Sequence, residues 1–203
     1  MNFELTQKIM FNLLNALEID CDEEGKKTTA LRLTRLWEDL LSGHGIDAAE
    51  TLDGGFSVGH HEMVALLAIP FYSMCEHHFL PFYGSVDLAY LPGSTGYVAG
   101  ASKLGEVVEV VSKRLQVQER LTTDISDAID RGLQSKGSYV VVQAEHLCMT
   151  MKDRKNISSR LVTVSRTGVF RESHEMANQA LALLNRRDSS LLGTTDRRCG
   201  DVF

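Results

Sequence analysis

The chain has 203 residues, 43% of them hydrophobic and 24% charged, with a formal net charge of −6 at pH 7. That is length enough for one globular domain with its own core, and the acidic balance argues against general nucleic-acid binding. No apolar run is long enough to cross a membrane, and Met1-Asn2-Phe3-Glu4 lacks the layout of a secretion signal. Four dispersed cysteines, Cys21, Cys75, Cys148 and Cys199, fit a reducing cytoplasm rather than a disulfide framework.

Residues 4–18 predict an amphipathic helix, with Leu5, Ile9, Leu13 and Leu17 on one stripe. After the linker Cys21–Lys27, Thr28 or Thr29 caps a second helix carrying Leu33, Leu36, Trp37, Leu40 and Leu41, which stops at Ser42-Gly43. Residues 44–62 read as a polar loop. Met63–Met74 predicts a strand bent at Pro70, and Ser85–Leu91 a strand that meets the turn Pro92-Gly93. Leu104, Val107, Val108, Val111 and Leu115 repeat at helical spacing. Leu121, Ile125, Ala128, Ile129 and Leu133 repeat likewise, up to the Lys136-Gly137 region. Ser138–Met149 and Arg160–Phe170 predict two more strands, and Glu175–Leu184 a last helix.

The order strand–strand–helix–helix–strand–strand predicts an α+β domain, an antiparallel sheet with paired helices on one face. It divides the chain into an N-terminal helical segment (1–43), the sheet domain (44–184) and a loose polar tail (185–203).

Two short stretches carry most of the chemistry. Cys75 and His78, three apart in Cys75-Glu76-His77-His78, suit a turn that folds both side chains onto one metal. His146 and Cys148, two apart, share a face if the strand continues. Thiolate with imidazole favours zinc. Three such ligands leave a position open for water and spare one or two histidines for proton transfer. A closed structural site would instead take His77 or His146 as a fourth ligand. The rival cluster His60-His61-Glu62 lies in a polar loop and reads better as solvated.

Gly100-Ala101-Ser102-Lys103 opens a predicted helix, where backbone N–H groups and a lysine suit an anion. Ser102 reads equally as an N-cap. In Gln116-Val117-Gln118-Glu119, a carboxylate beside an amide suits the donor edge of guanine, and the same residues suit an ordinary helix start.

Taken together, the stretches from Ser73 to Gly84 (SMCEHHFLPFYG), Gly100–Lys103, Gln116–Thr122 (QVQERLT) and Ala144–Met149 (AEHLCM) resemble the signature of GTP cyclohydrolase I in order and spacing. The segment Thr29-Ala30-Leu31-Arg32…Trp37…Ser42-Gly43 is similar to that family's helix. The resemblance implies a T-fold that assembles into rings, a decamer of two pentamers with the active site between subunits. It implies Zn2+ on Cys75, His78 and Cys148, with His77 and His146 as the acid–base pair. It puts Ser102 and Lys103 on ribose and phosphate, Gln118 and Glu119 on guanine, and Arg32 and Arg35 near the phosphates. The implied reaction opens the guanine imidazole ring of GTP and yields formate and 7,8-dihydroneopterin triphosphate, in the cytoplasm.

Two positions depart from the family's pattern. Glu106 stands where the resemblance expects a phosphate-facing arginine. Lys152 replaces an arginine after the last zinc cysteine and, on a continuing strand, would share the face of His146 and Cys148. These departures keep open a paralogue acting on another guanine nucleotide or stopping at a ring-opened product. A non-catalytic nucleotide- or pterin-binding ring is the rival of another class. A T-fold oxidoreductase is a weaker one, as no G-x-G-x-x-G fingerprint is present.

Overall fold

The computed structural model describes residues 1–151 and 159–185. Helix α1 (Phe3–Ala16) is capped by Asn2, whose side chain accepts from the Leu5 N–H at 3.1 Å. Helix α2 (Glu23–Leu40) begins earlier than its apolar stripe suggests. Asp22 caps it, accepting from the Gly25 N–H at 2.7 Å, and Glu23 and Glu24 fill a first turn that favours negative charge. The two helices pack as a hairpin. The predicted stripe on α1 faces outward: Leu5, Ile9, Leu13 and Leu17 are about half exposed, and only Leu14 is buried.

The predicted loop 44–62 contains structure of its own. A 3-10 turn, Ala48–Leu52, buries Ala48, Ala49 and Leu52 against the core. It is anchored by a bidentate Asp47–Arg131 pair at 2.7 and 2.8 Å. The Arg131 guanidinium and the Ala49 N–H hold the Asp47 carboxyl at a pKa of about 2. Strand β1 (Phe56–Ser57) pairs with β4 (Tyr97–Val98) as a small antiparallel ribbon.

The main sheet has the order β5-β2-β3-β6-β7, built from β2 (Val64–Cys75), β3 (Pro81–Leu91), β5 (Leu115–Gln116), β6 (Gly137–His146) and β7 (Leu161–Arg166). All neighbours run antiparallel except β5, which pairs in parallel with Met74 and Cys75. The bend in β2 is a bulge between Leu66 and Ile69, where Ala68 takes φ 55 and its N–H reaches the Asp87 carboxylate at 2.7 Å. Pro70 is not the bend. It stays in register with Ser85, in a stretch of β2 that β5 does not reach, and an edge position tolerates its missing N–H.

Helices α3 (Ala101–Ser112) and α4 (Gln118–Leu133) cover one face. α3 lies over β2, and α4 over β6 and β7. Leu104, Val107, Val108 and Val111 meet Leu121, Ile125 and Ile129 over Phe82, Val86, Leu88, Val140 and Val142. Burying each aliphatic side chain contributes about 1.5–3 kcal/mol. Leu115 leaves the α3 stripe to join β5, and α4 ends with Gln134 in the left-handed region (φ 48). After β7 come α6 (Val169–Glu172) and α7 (His174–Leu184), which pack Phe170, Ala177, Ala180 and Leu184 on the sheet's other face, around Ala89 and Tyr139. No helix among the described residues is long and apolar enough to cross a membrane.

Close backbone approach fixes Gly84 at the centre of this sheet. A Cβ there would lie 1.9 Å from the Gln143 carbonyl oxygen and 2.8 Å from Ala144 Cα. Gly84→Ala is expected to lower unfolding free energy by about 1–3 kcal/mol through overpacking. Urea denaturation should show a lower midpoint with an unchanged m-value.

Candidate metal centre and active site

β2 ends at Cys75 and β3 begins at Pro81, and the turn between them closes on itself. The Cys75 N–H donates to the Leu80 carbonyl (2.9 Å), and the Phe79 N–H to the Cys75 carbonyl (2.8 Å). The Glu76 N–H donates to the Gln116 carbonyl (3.1 Å), tying the turn to β5. Phe79 reverses the chain at φ 53, a costly conformation for a bulky residue. Its ring packs on Trp37 of α2, with centroids 5.4 Å apart. The reversal carries His78 back, so that its Nδ1 lies 4.0 Å from Cys75 Sγ.

The third member comes from the end of β6. The strand stops at His146, and Cys148 stands on a single helical turn, α5 (Leu147–Thr150), rather than on a continuing strand. The ligand atoms of Cys75, His78 and Cys148 all lie within 4.8 Å of one another. An ion with bonds of about 2.0–2.3 Å holds tetrahedral ligands roughly 3.6–3.8 Å apart, so shifts of about 1 Å close the group. Cys75 and Cys148 are buried and His78 is exposed, which gives the group one solvent-facing side. Two sulfurs and an imidazole suit a borderline-soft divalent metal.

The remaining histidines occupy contrasting surroundings. His77 is exposed beside His78, its ring nearly perpendicular at 84°. His146 is only 9% exposed and stacks on Phe82, with centroids 4.6 Å apart and planes 4° apart. Its Nε2 lies 2.8 Å from Gln118 Oε1. Burial lowers the His146 pKa, and the negative charge of Glu119 opposes that shift.

Helix α3 begins behind Gly100, with no side chain capping it, so Ser102 is exposed within the first turn and is not the N-cap. Lys103 Nζ is 2.7 Å from Glu106 Oε2, one turn along the same helix. Gln118 is buried at the start of α4, and Glu119 beside it is exposed. Glu76 pairs with Arg120, which holds its carboxyl below the usual range. Arg32 and Arg35 lie exposed on α2. Lys152 and Cys199 lie outside the described residues.

Phe82, Trp37 and Thr163 support the site, and none was singled out from sequence for that role. Phe82 stood inside the quoted motif, whereas nothing in the β7 pattern marks Thr163.

Comparison with known proteins decides the family. The sequence model of GTP cyclohydrolase I matches residues 6–185. The chain belongs to the GTP cyclohydrolase I family. It is 46% identical over 176 residues to GTP cyclohydrolase 1 of Dehalococcoides mccartyi, covering 87% of this chain and 93% of that one. It is 42% identical over 184 residues to GTP cyclohydrolase 1 of Streptococcus gordonii, covering 91% and 98%. Among solved structures, an archaeosine synthase QueF-Like in the apo form overlaps 52% of this chain and 93% of its own, with TM-score 0.42 and 18% identity. Membership makes this protein a hydrolase of the GTP cyclohydrolase I type with a T-fold.

The three-ligand group predicts one metal ion per chain. Cys148→Ser should abolish stoichiometric metal, measured by elemental analysis, while the far-ultraviolet circular dichroism of the sheet and helices stays. A Cys148→Ser protein that retains a full equivalent would remove Cys148 from the group.

Proposed function

We propose that this protein opens the imidazole ring of a guanine nucleotide, GTP first among them, using zinc held by Cys75, His78 and Cys148. The observation that carries the reading is the convergence of those three ligand atoms within 4.8 Å, in a chain of this family. Bound there, zinc supplies Lewis acidity that activates water near neutral pH.

The chain's own residues do the rest. His77 and His146 move protons, one taking a proton from water and the other delivering one to the imidazole nitrogen as its bond to C8 breaks. Hydrolysis of the resulting formamide releases formate. The freed amine then closes onto the rearranged ribose to give 7,8-dihydroneopterin triphosphate. Glu119, exposed at the start of α4, accounts for recognition of guanine. Ser102 and Lys103 at the start of α3 would meet ribose and phosphate, with Arg32, Arg35 and Lys152 as further cations. The outward stripe Leu5, Ile9, Leu13 and Leu17 supports a homo-oligomer, for which a decamer of two pentamers is our reading.

One observation favours a second reading, a changed preference among guanine nucleotides. Glu106 sits at 2.7 Å from the very lysine that would hold phosphate. Both side chains are near 40% exposed, so the pair itself is weak and screened. Its consequence is a carboxylate that stays behind when Lys103 turns to a polyphosphate.

Incubating zinc-loaded protein with guanosine, GMP, GDP and GTP, with product masses and a formate assay, tests both readings. Formate from none of them would leave a nucleotide- or pterin-binding ring. His77→Ala and His146→Ala should each keep zinc and lose about a hundredfold in turnover. Loss of metal in either would exchange its role for a ligand's. Glu106→Arg should raise kcat/KM for GTP about tenfold over that for GMP at low ionic strength, the gain shrinking as salt rises. A mutant that handles GTP worse than the wild type would mean that the Lys103–Glu106 pair is itself part of the site.

A further inference from the structure

Gln118 is 1% exposed, and its carboxamide is engaged from within the fold. Nε2 lies 3.1 Å from the Val142 carbonyl oxygen, 3.0 Å from that of Leu161 and 3.1 Å from Thr163 Oγ1. Carbonyl oxygens only accept, so the nitrogen end must face them. The flipped amide would set its oxygen against two others.

The neighbouring hydroxyls agree with that assignment. Thr122 Oγ1 donates to the Gln118 carbonyl at 2.7 Å, which spends its hydrogen. The 2.6 Å bond between the Thr122 and Thr163 hydroxyls must then take its hydrogen from Thr163. Thr163 Oγ1 is left with lone pairs, and the Gln118 amide fills one of them. The two N–H groups of the amide then serve three acceptors, one hydrogen being shared, and no donor is set against a donor.

With the nitrogen fixed, Oε1 points to the other side, 2.8 Å from His146 Nε2. An amide oxygen accepts and cannot donate. The hydrogen in that bond therefore belongs to His146 Nε2, and the neutral ring then carries its lone pair on Nδ1. The ring is held in its plane by the stack on Phe82, which faces it in the β3–β6 register.

We infer that Gln118 is a positioning residue, which locks His146 as the Nε2–H tautomer so that Nδ1 is the atom that accepts and returns a proton. This rests on the proposed proton-transfer role of His146 and moves Gln118 from reading guanine to acting through the histidine. Both N–H groups of its amide are committed inside the fold, so the adjacent, exposed Glu119 carries base recognition.

The test joins a spectrum to kinetics. Zinc-loaded protein with 15N-labelled histidine, its His146 signals assigned by their loss in His146→Ala, should show the ring hydrogen on Nε2 and none on Nδ1. Gln118→Met, close in shape and without the amide, should lose this preference. Its kcat should fall ten- to hundredfold, the usual scale for removing a residue that orients a functional histidine. Its KM for GTP should stay within about twofold and its zinc content should be unchanged. A hydrogen on Nδ1 in the wild type overturns the inference. So does a Gln118→Met protein with raised KM and unchanged kcat, which would return Gln118 to base recognition. Should Gln118→Met fail to fold, the wild-type spectrum decides alone. Absence of formate from the wild type would overturn the cyclohydrolase reading instead, and the tautomer would still be read independently.

Discussion

Phe82 stands opposite His146 in the β3–β6 ladder, which runs on without interruption to Leu91 opposite Gly137. That register brings the two metal stretches, far apart in sequence, to one end of the sheet. Side chains alternate along a strand, so a slip of one residue would send His146 to the opposite face and separate it from the Phe82 ring. The register is strongly specified because both faces are covered. Val86, Leu88, Val140 and Val142 are buried under α3 and α4, and Ala89 and Tyr139 under α6 and α7. Hydrophobic burial on two faces is thus what keeps Cys148 within reach of Cys75.

Much of this was legible in the sequence where periodicity is strong. The stripes of α3 and α4 fall where Leu104–Val111 and Leu121–Leu133 predict them, and the α+β order follows. The start of α2 lies outside the apolar pattern because Glu23 through Lys27 carry no apolar stripe, although Asp22 followed by two glutamates is a capping signal in its own right. The 3-10 turn at Ala48–Leu52 is too short to show a period. A spacing of two from His146 to Cys148 fits a strand, yet the pleat ends at His146 and the next residues wind into α5. The α1 stripe had the right period but gave no hint that it faces outward, since period alone does not say what covers a face.

The electrostatic surroundings show a consistent habit. Lys103 pairs with Glu106, Arg120 with Glu76, Lys113 with Asp39 and Glu109, and Arg160 with Glu145. Pairs at this exposure contribute at most about 1 kcal/mol each, so a bound anion displaces a carboxylate partner at little cost in the pair itself. The displaced carboxylate remains nearby and repels the anion. In a chain of net charge −6, local cation placement rather than overall attraction must govern how a phosphorylated ligand is held.

A neutral partner for His146 differs in kind from the carboxylate that often orients a histidine. A buried carboxylate would stabilise the imidazolium and hold the proton on the ring. The Gln118 amide orients the ring through the same nitrogen without that charge, and burial shifts the balance further toward the neutral form. Among the described residues, the charge that opposes this shift is that of Glu119, one residue on, at the exposed start of α4.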